Sequence, residues 1–154
     1  TITGINFADS QTTSADANTL DDYEEGTYDA TVTCSSSGTI TVNSSNNAAS
    51  YRKIGSLCQV SSDLSMSAVS SPVGYAQVSL PFAVVAESED SDRAAQAVVV
   101  HGSGSNVANY VAATFGGEQV CRIFLGDNGD LQSDAANSID SNTEIYFNVI
   151  YHTA

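Results

Sequence analysis

Two histidines, His101 and His152, are the imidazoles this sequence offers for acid–base or nucleophilic chemistry. A Ser-His-Asp arrangement needs a serine on a strained elbow, and Gly102-Ser103-Gly104 does not have the Gly-x-Ser-x-Gly form that builds one. His101 is therefore expected to end a strand beside a glycine turn. Paired carboxylates hydrolyse glycosidic bonds when they flank the scissile oxygen. With 18 acidic residues in the chain, proximity in sequence singles out no such pair. Glu87, Glu89, Asp90 and Asp92 form one oxygen-rich loop, and Asp127, Asn128 and Asp130 another. Neither follows the spacing of a calcium-binding EF-hand, so both are read as solvated acidic turns. No glycine-rich phosphate loop is present. No catalytic, cofactor-binding or metal-binding residue is assigned, no cofactor is expected, and the expectation is a protein that is not an enzyme.

The remaining residues with recognition chemistry are tyrosines: Tyr23, Tyr28, Tyr51, Tyr75, Tyr110, Tyr146 and Tyr151, with no tryptophan. Tyrosine stacks on sugars and anchors interfaces, but most of these are expected in the core or rim of the fold. Cys34, Cys58 and Cys121 are odd in number and far apart in sequence. That argues against both a disulfide framework and a zinc knuckle, and suggests small buried hydrophobes in a protein folded in a reducing cytosol.

The elements that must position these groups are strands. The chain has 154 residues, the size of one domain, and carries a formal charge of −14 from 18 acidic and 4 basic residues. Such a charge excludes nucleic acid as a direct partner, because phosphate contacts require Lys and Arg. No apolar run approaches the length of a membrane span, so no insertion is expected. No signal peptide is expected, and Thr1 reads as the product of processing or as part of something longer. Residues 1–26 read as an extended arm and junction, with Ile2, Ile5 and Phe7 as anchors, and 27–154 as the folded domain.

Strands are predicted at Thr27–Thr33, Thr39–Asn43, Ala49–Ile54, Leu57–Met66, Val73–Leu80, Ala94–His101, Val107–Phe115, Val120–Leu125 and Glu144–His152, with a short strand near Leu131. In Leu57–Met66, Cys58, Val60, Leu64 and Met66 share one face, the period of two expected of a half-buried strand. In the final segment Ile145, Phe147, Val149 and Tyr151 share one face and Tyr146, Asn148 and Ile150 the other. Apolar residues on both faces suggest a central or subunit-covered strand. Asn128-Gly129 favours a tight hairpin. No 3.6-residue apolar stripe and no repeat appears. The prediction is an all-β, antiparallel, jelly-roll-like β-sandwich of roughly eight or nine strands.

The run Asp16-Ala17-Asn18-Thr19-Leu20-Asp21-Asp22-Tyr23-Glu24-Glu25-Gly26-Thr27 closely resembles a segment common in bacteriophage tail-fibre and related virion proteins, where "LDDYEEGT" precedes a C-terminal β-rich domain. Tyr51-Arg52-Lys53-Ile54-Gly55 resembles that family's Tyr-x-Lys-x-Gly strand and turn. Val78-Ser79-Leu80-Pro81-Phe82 resembles its "GLPF" strand end, and Ile145-Tyr146-Phe147-Asn148-Val149-Ile150-Tyr151 its final strand. Where the family often continues Trp-Thr-Pro after Gly-Thr, this chain has Tyr28-Asp29-Ala30. Physically, Leu20 to Thr27 reads either as a solvated acidic turn ended by Gly26 or as a hinge, in which Leu20 and Tyr23 anchor, the acids stay wet, and Gly26 turns the chain into the first strand.

The resemblance implies a virion structural protein, assembled in the host bacterial cytoplasm and carried on the extracellular particle. Its partners would be other virion proteins, two further copies of itself in a homotrimer, and host cell-surface glycan or protein. It leaves three readings: a distal host-binding domain of a tail fibre, a capsid decoration or head-fibre protein, and, more remotely, a glycan-cleaving tailspike. Any recognition surface is expected on the loops that follow the acidic stretch.

Overall fold

A computed structural model describes residues 23–86, 93–102, 109–127, 130–132 and 134–153. Eleven strands carry almost all of the regular structure: β1 Tyr23–Asp29, β2 Val32–Cys34, β3 Ser37–Val42, β4 Ala48–Ile54, β5 Leu57–Val73, β6 Ala76–Ser79, β7 Ala95–His101, β8 Tyr110–Thr114, β9 Val120–Asp127, β10 Asp130–Gln132 and β11 Glu144–His152. A 3-10 turn at Ala135–Ser138 precedes the last of them. No helix among the described residues is long and apolar enough to cross a membrane.

All strand pairs are antiparallel, and they run in one path, β1-β4-β5-β11-β7-β8-β9-β6-β2, with β3 added to β5 and β10 to β9. The two ends of this path, β1 and β2, are separated in sequence by Ala30 and Thr31. At that seam the chain changes partners. Ala30 N–H donates to the Asn47 carbonyl at 2.7 Å on the β4 side, while the Thr31 carbonyl accepts from Ser79 N–H at 3.0 Å on the β6 side. The sheet therefore curls back on itself, and its two halves face each other across one core, the all-β antiparallel fold that the strand pattern predicts.

The alternation in sequence explains that core. Along β11, Ile145, Phe147, Val149 and Tyr151 are buried, and Tyr146 and Ile150 between them are 42% and 43% exposed. β11 lies between β5 and β7, so the central position expected for it is where it stands. From β5, Cys58, Val60, Leu64 and Met66 are buried as the period of two requires. Between them Ser62 sits opposite Phe147 and Ala49, and its hydroxyl is buried with no hydrogen-bond partner among the described residues. Cys58 and Cys121 are buried and unpaired as expected, whereas Cys34 is half-buried.

Several boundaries differ from the sequence reading. The first strand begins at Tyr23 and not at Thr27, so Tyr23 to Gly26 form paired strand where a turn or hinge was expected. Gly26 faces Tyr51 in the ladder and does not turn the chain. β5 continues past Met66 to Val73, where its far half pairs with β3. The strand expected from Val73 starts only at Ala76, because Gly74 stands at φ +94° and breaks the run. The first predicted strand is split in two at the seam, while the short strand expected near Leu131 is present as β10, paired with β9. Residues 1–22, with the arm and Leu20, Asp21 and Asp22 of the acidic segment, lie outside the described residues.

Candidate binding groove

The residues first considered for chemistry are dispersed. His101 and His152 stand at opposite ends of β11, His101 in register with Glu144 and His152 with Leu57. His101 Nδ1 is 3.5 Å from a Glu144 oxygen on an exposed surface. His152 Nδ1 is 3.4 Å from Ser56 Oγ, also exposed. Gly102 adopts φ +70° in close approach to the Asn142 carbonyl, and Ser103 and Gly104 lie outside the described residues. Asp127 and Asp130 face each other in the β9–β10 ladder, as the Asn128-Gly129 hairpin signal predicts. Glu87, Glu89, Asp90 and Asp92 lie outside the described residues, as does Asn128. Among the described residues no three His, Cys, Asp or Glu side chains converge where they could hold a metal ion.

The tyrosines divide. Tyr110 is buried with its hydroxyl 3.0 Å from Ser138 Oγ, and Tyr151 is buried with its hydroxyl donating to the Phe82 carbonyl at 3.0 Å. Tyr75 packs at the half-buried outer face of the sheet, where the Arg122 guanidinium lies 4.9 Å from its ring and 4.2 Å from that of Phe115. Arg122 is itself paired with Glu118. Tyr146 is exposed and donates to Glu144 at 2.9 Å, and Tyr23 donates to Glu25 at 2.9 Å. Tyr28 and Tyr51 line a surface groove at the seam.

That groove, of about 480 Å³, is walled by Tyr28, Tyr51 and Phe82 and rimmed by Thr27, Asp29, Thr31, Ser79 and Gln119. A second hollow of about 300 Å³ lies along Glu25, Gly26, Ser50 and Arg52, and it shares Thr27 and Tyr51 with the first. Glu25, Thr27, Ser50 and Arg52 alternate along β1 and β4 with Gly26 and Tyr51, so this second hollow lies on the other face of the sheet from the Tyr51 ring. Cross-strand pairing fixes that ring: Tyr51 on β4 stands opposite Gly26 on β1. A Cβ at position 26 would come within 2.8 Å of the Tyr51 hydroxyl and 3.0 Å of its ring carbons. Only a residue without a side chain lets the ring lie across the strand, an arrangement that also shields the glycine backbone.

The ring is held on its other sides as well. Its hydroxyl donates to Glu24 Oε1 at 2.5 Å. It meets the Phe82 ring at 5.2 Å between centroids and an angle of 86°, the edge-to-face geometry that aromatic quadrupoles favour. Tyr28 lies 6.4 Å away. The hydrogen bond to the Glu24 carboxylate, with a smaller contribution from burial, pushes the Tyr51 phenol up to about 12. Burial pushes the Tyr28 phenol up further, and its hydroxyl donates to the Ser79 carbonyl at 2.8 Å. Lys53 is buried with its ammonium 5.7 Å from the Phe82 ring, and Arg52 Nε is 3.9 Å from Glu25. Gln119 donates to the Leu80 and Pro81 carbonyls at 3.2 and 3.0 Å and pins the turn that carries Phe82.

Four separated stretches of sequence therefore meet at one place: Glu24 to Thr27, Tyr51 to Lys53, Leu80 to Phe82, and Tyr151 beneath them. The individual tyrosines were visible in the sequence. Their convergence depends on the β1–β4 register and on the turn after β6, which no local pattern encodes.

No protein-family model matches this chain, and no curated protein matches it. Among solved structures, the fold is similar to part of the Dettilon tailspike protein, with a TM-score of 0.71 and 18% sequence identity over 84% of this chain. The matched region is 24% of the tailspike, so this chain corresponds to about a quarter of that molecule's length.

Proposed function

We propose that this chain is a bacteriophage virion protein, and that it serves as a host-surface-binding module of a tail fibre or tailspike. The fold it shares with part of the Dettilon tailspike protein carries this reading. The meeting of the acidic segment, the Tyr-x-Lys strand, the Leu-Pro-Phe turn and the final strand supports it. These are the stretches that resemble tail-fibre and virion proteins, and here they build one structural unit. In this reading the module binds and does not cleave: its histidines stand apart, and the groove lining offers a single carboxylate, Asp29, where glycoside hydrolysis uses a pair.

The module is further proposed to work as a homotrimer beside other virion proteins. The outer face of β11, with Tyr146 and Ile150 exposed next to Val99 and Leu57, is the apolar surface available for association. Nucleic acid is not a proposed partner, given the charge of −14.

Gold-labelled antibody against the module, viewed on intact particles, tests the location, and pre-incubation of host cells with purified module tests the role. The expected result is label at the tail tip and slowed phage adsorption. Label on the head would overturn the tail assignment in favour of capsid decoration, and release of sugar fragments from host envelope would overturn the non-enzymatic reading.

A further inference from the structure

We infer that the groove at the seam is a binding subsite for a neutral saccharide, with Tyr51 as the platform. This rests on the host-binding reading above and names the ligand class and the residues. A sugar ring presents an apolar C–H face and a rim of hydroxyls that both donate and accept. The groove presents the complement. Tyr28, Tyr51 and Phe82 supply aromatic surface, while Asp29, Ser79 and Gln119 supply acceptors and donors within the same 480 Å³. The volume lies within the range of sites that hold small molecules.

The platform is preorganised. Gly26 beneath, Glu24 at the hydroxyl and Phe82 packed perpendicular to it fix the Tyr51 ring before any ligand arrives. Little freedom remains to be lost on binding, which is where affinity for a flexible saccharide is usually forfeited.

Charge selects the class. Asp29 lines the groove and Glu24 holds the Tyr51 hydroxyl at its edge, while Arg52 is engaged with Glu25 and Lys53 is buried at Phe82. With −14 on the whole chain, a sugar bearing carboxylate or phosphate is repelled on approach. A neutral one is not.

The test is a printed array of neutral and anionic oligosaccharides, including fragments of host envelope polysaccharide, probed with the full chain and with Tyr51→Leu, Asp29→Ala and Thr39→Ala variants. The expected result is binding to neutral members, about tenfold weaker for Tyr51→Leu and for Asp29→Ala. Thr39→Ala, on exposed β3, should bind as the parent does. Far-ultraviolet circular dichroism of each variant separates lost binding from lost fold. Exclusive binding to anionic members, no binding to any neutral member, or equal binding by folded Tyr51→Leu and Asp29→Ala would overturn the inference. If purified module still slows adsorption while neutral sugars fail to bind, the saccharide subsite falls and the host-binding role stands. If neutral sugars bind but the module is missing from the particle, the reverse holds.

Discussion

The ring of Tyr51 lies across the backbone of Gly26, close enough that a methyl group at position 26 would stand 2.8 Å from its hydroxyl. Gly26 does not adopt the left-handed conformation, so alanine there meets no backbone strain, only the ring. The tip of a half-buried tyrosine can swing aside. The effect of Gly26→Ala on folding should therefore stay within about 1 kcal/mol, because the gain in strand propensity offsets the lost contact. The groove should not survive as well. Displacing the ring breaks its hydrogen bond to Glu24, so the Tyr51 phenol should titrate nearer 10 than 12. Glu24→Gln should move it the same way by removing the charge. Phenolate absorbance in a pH titration measures both.

Alkaline pH should destabilise the fold through its tyrosines. Burial raises the phenols of Tyr28 and Tyr151 above their ordinary value of 10, and the Glu24 carboxylate raises that of Tyr51 to about 12. In the unfolded chain all three ionise near 10. The folded state binds the extra protons, so the stabilisation is complete below pH 10 and is lost as pH climbs through 10 toward 12 and beyond. Melting temperature followed from neutrality into the alkaline range should hold steady and then fall. A fall that begins well below pH 9 would point to other groups.

Neighbours on β11 should respond oppositely to truncation. Ile145 is fully buried, and Ile145→Ala should cost about 2–5 kcal/mol in urea denaturation. Ile150→Ser, on the exposed face, should leave a monomer's stability within about 0.5 kcal/mol. If the outer face of β11 is a subunit contact, the same Ile150→Ser change should instead reduce the mass measured by light scattering.

Ser62 offers a stabilising change. Its hydroxyl is buried between Phe147 and Ala49 without a partner among the described residues. Removing an unsatisfied buried polar group should raise unfolding free energy, so Ser62→Ala is expected to gain about 1 kcal/mol in chemical denaturation.

Thiol reactivity should be graded. Burial pushes the Cys121 thiol up to about 12 and raises that of Cys58 as well, and both side chains are inaccessible. Native protein exposed to a thiol reagent should be modified first at half-buried Cys34, with Cys58 and Cys121 reacting only on unfolding.

How much of this was legible in the sequence depended on whether the signal was local. The inward faces of β5 and β11 were legible residue by residue, because a strand with one wet side writes its period of two directly. The pairing of β9 with β10 was legible because the Asn-Gly dipeptide between them is a local turn signal. The start of β1 at Tyr23 was hidden: Glu24 and Glu25 look like a solvated turn, and only pairing with β4 reveals a strand. The 3-10 turn at Ala135–Ser138, three of whose residues are buried, had no periodicity to announce it. Gly26 was singled out correctly and explained wrongly. Its role belongs to the ring 25 residues away in the chain, and a partner that distant leaves no mark in the local pattern.

The position of β11 sets a schedule. It follows every other strand in sequence yet lies in the middle of the sheet, holding β5 on one side and β7 on the other. A ribosome emitting this chain releases β1 through β10 before the strand that joins the two halves exists. Until then the two flanking edges are unsatisfied, and their pairing with one another or with another nascent chain is the hazard. Completion of the fold thus coincides with arrival of residues 144–152, and chains stalled before that point should be caught by the quality-control machinery.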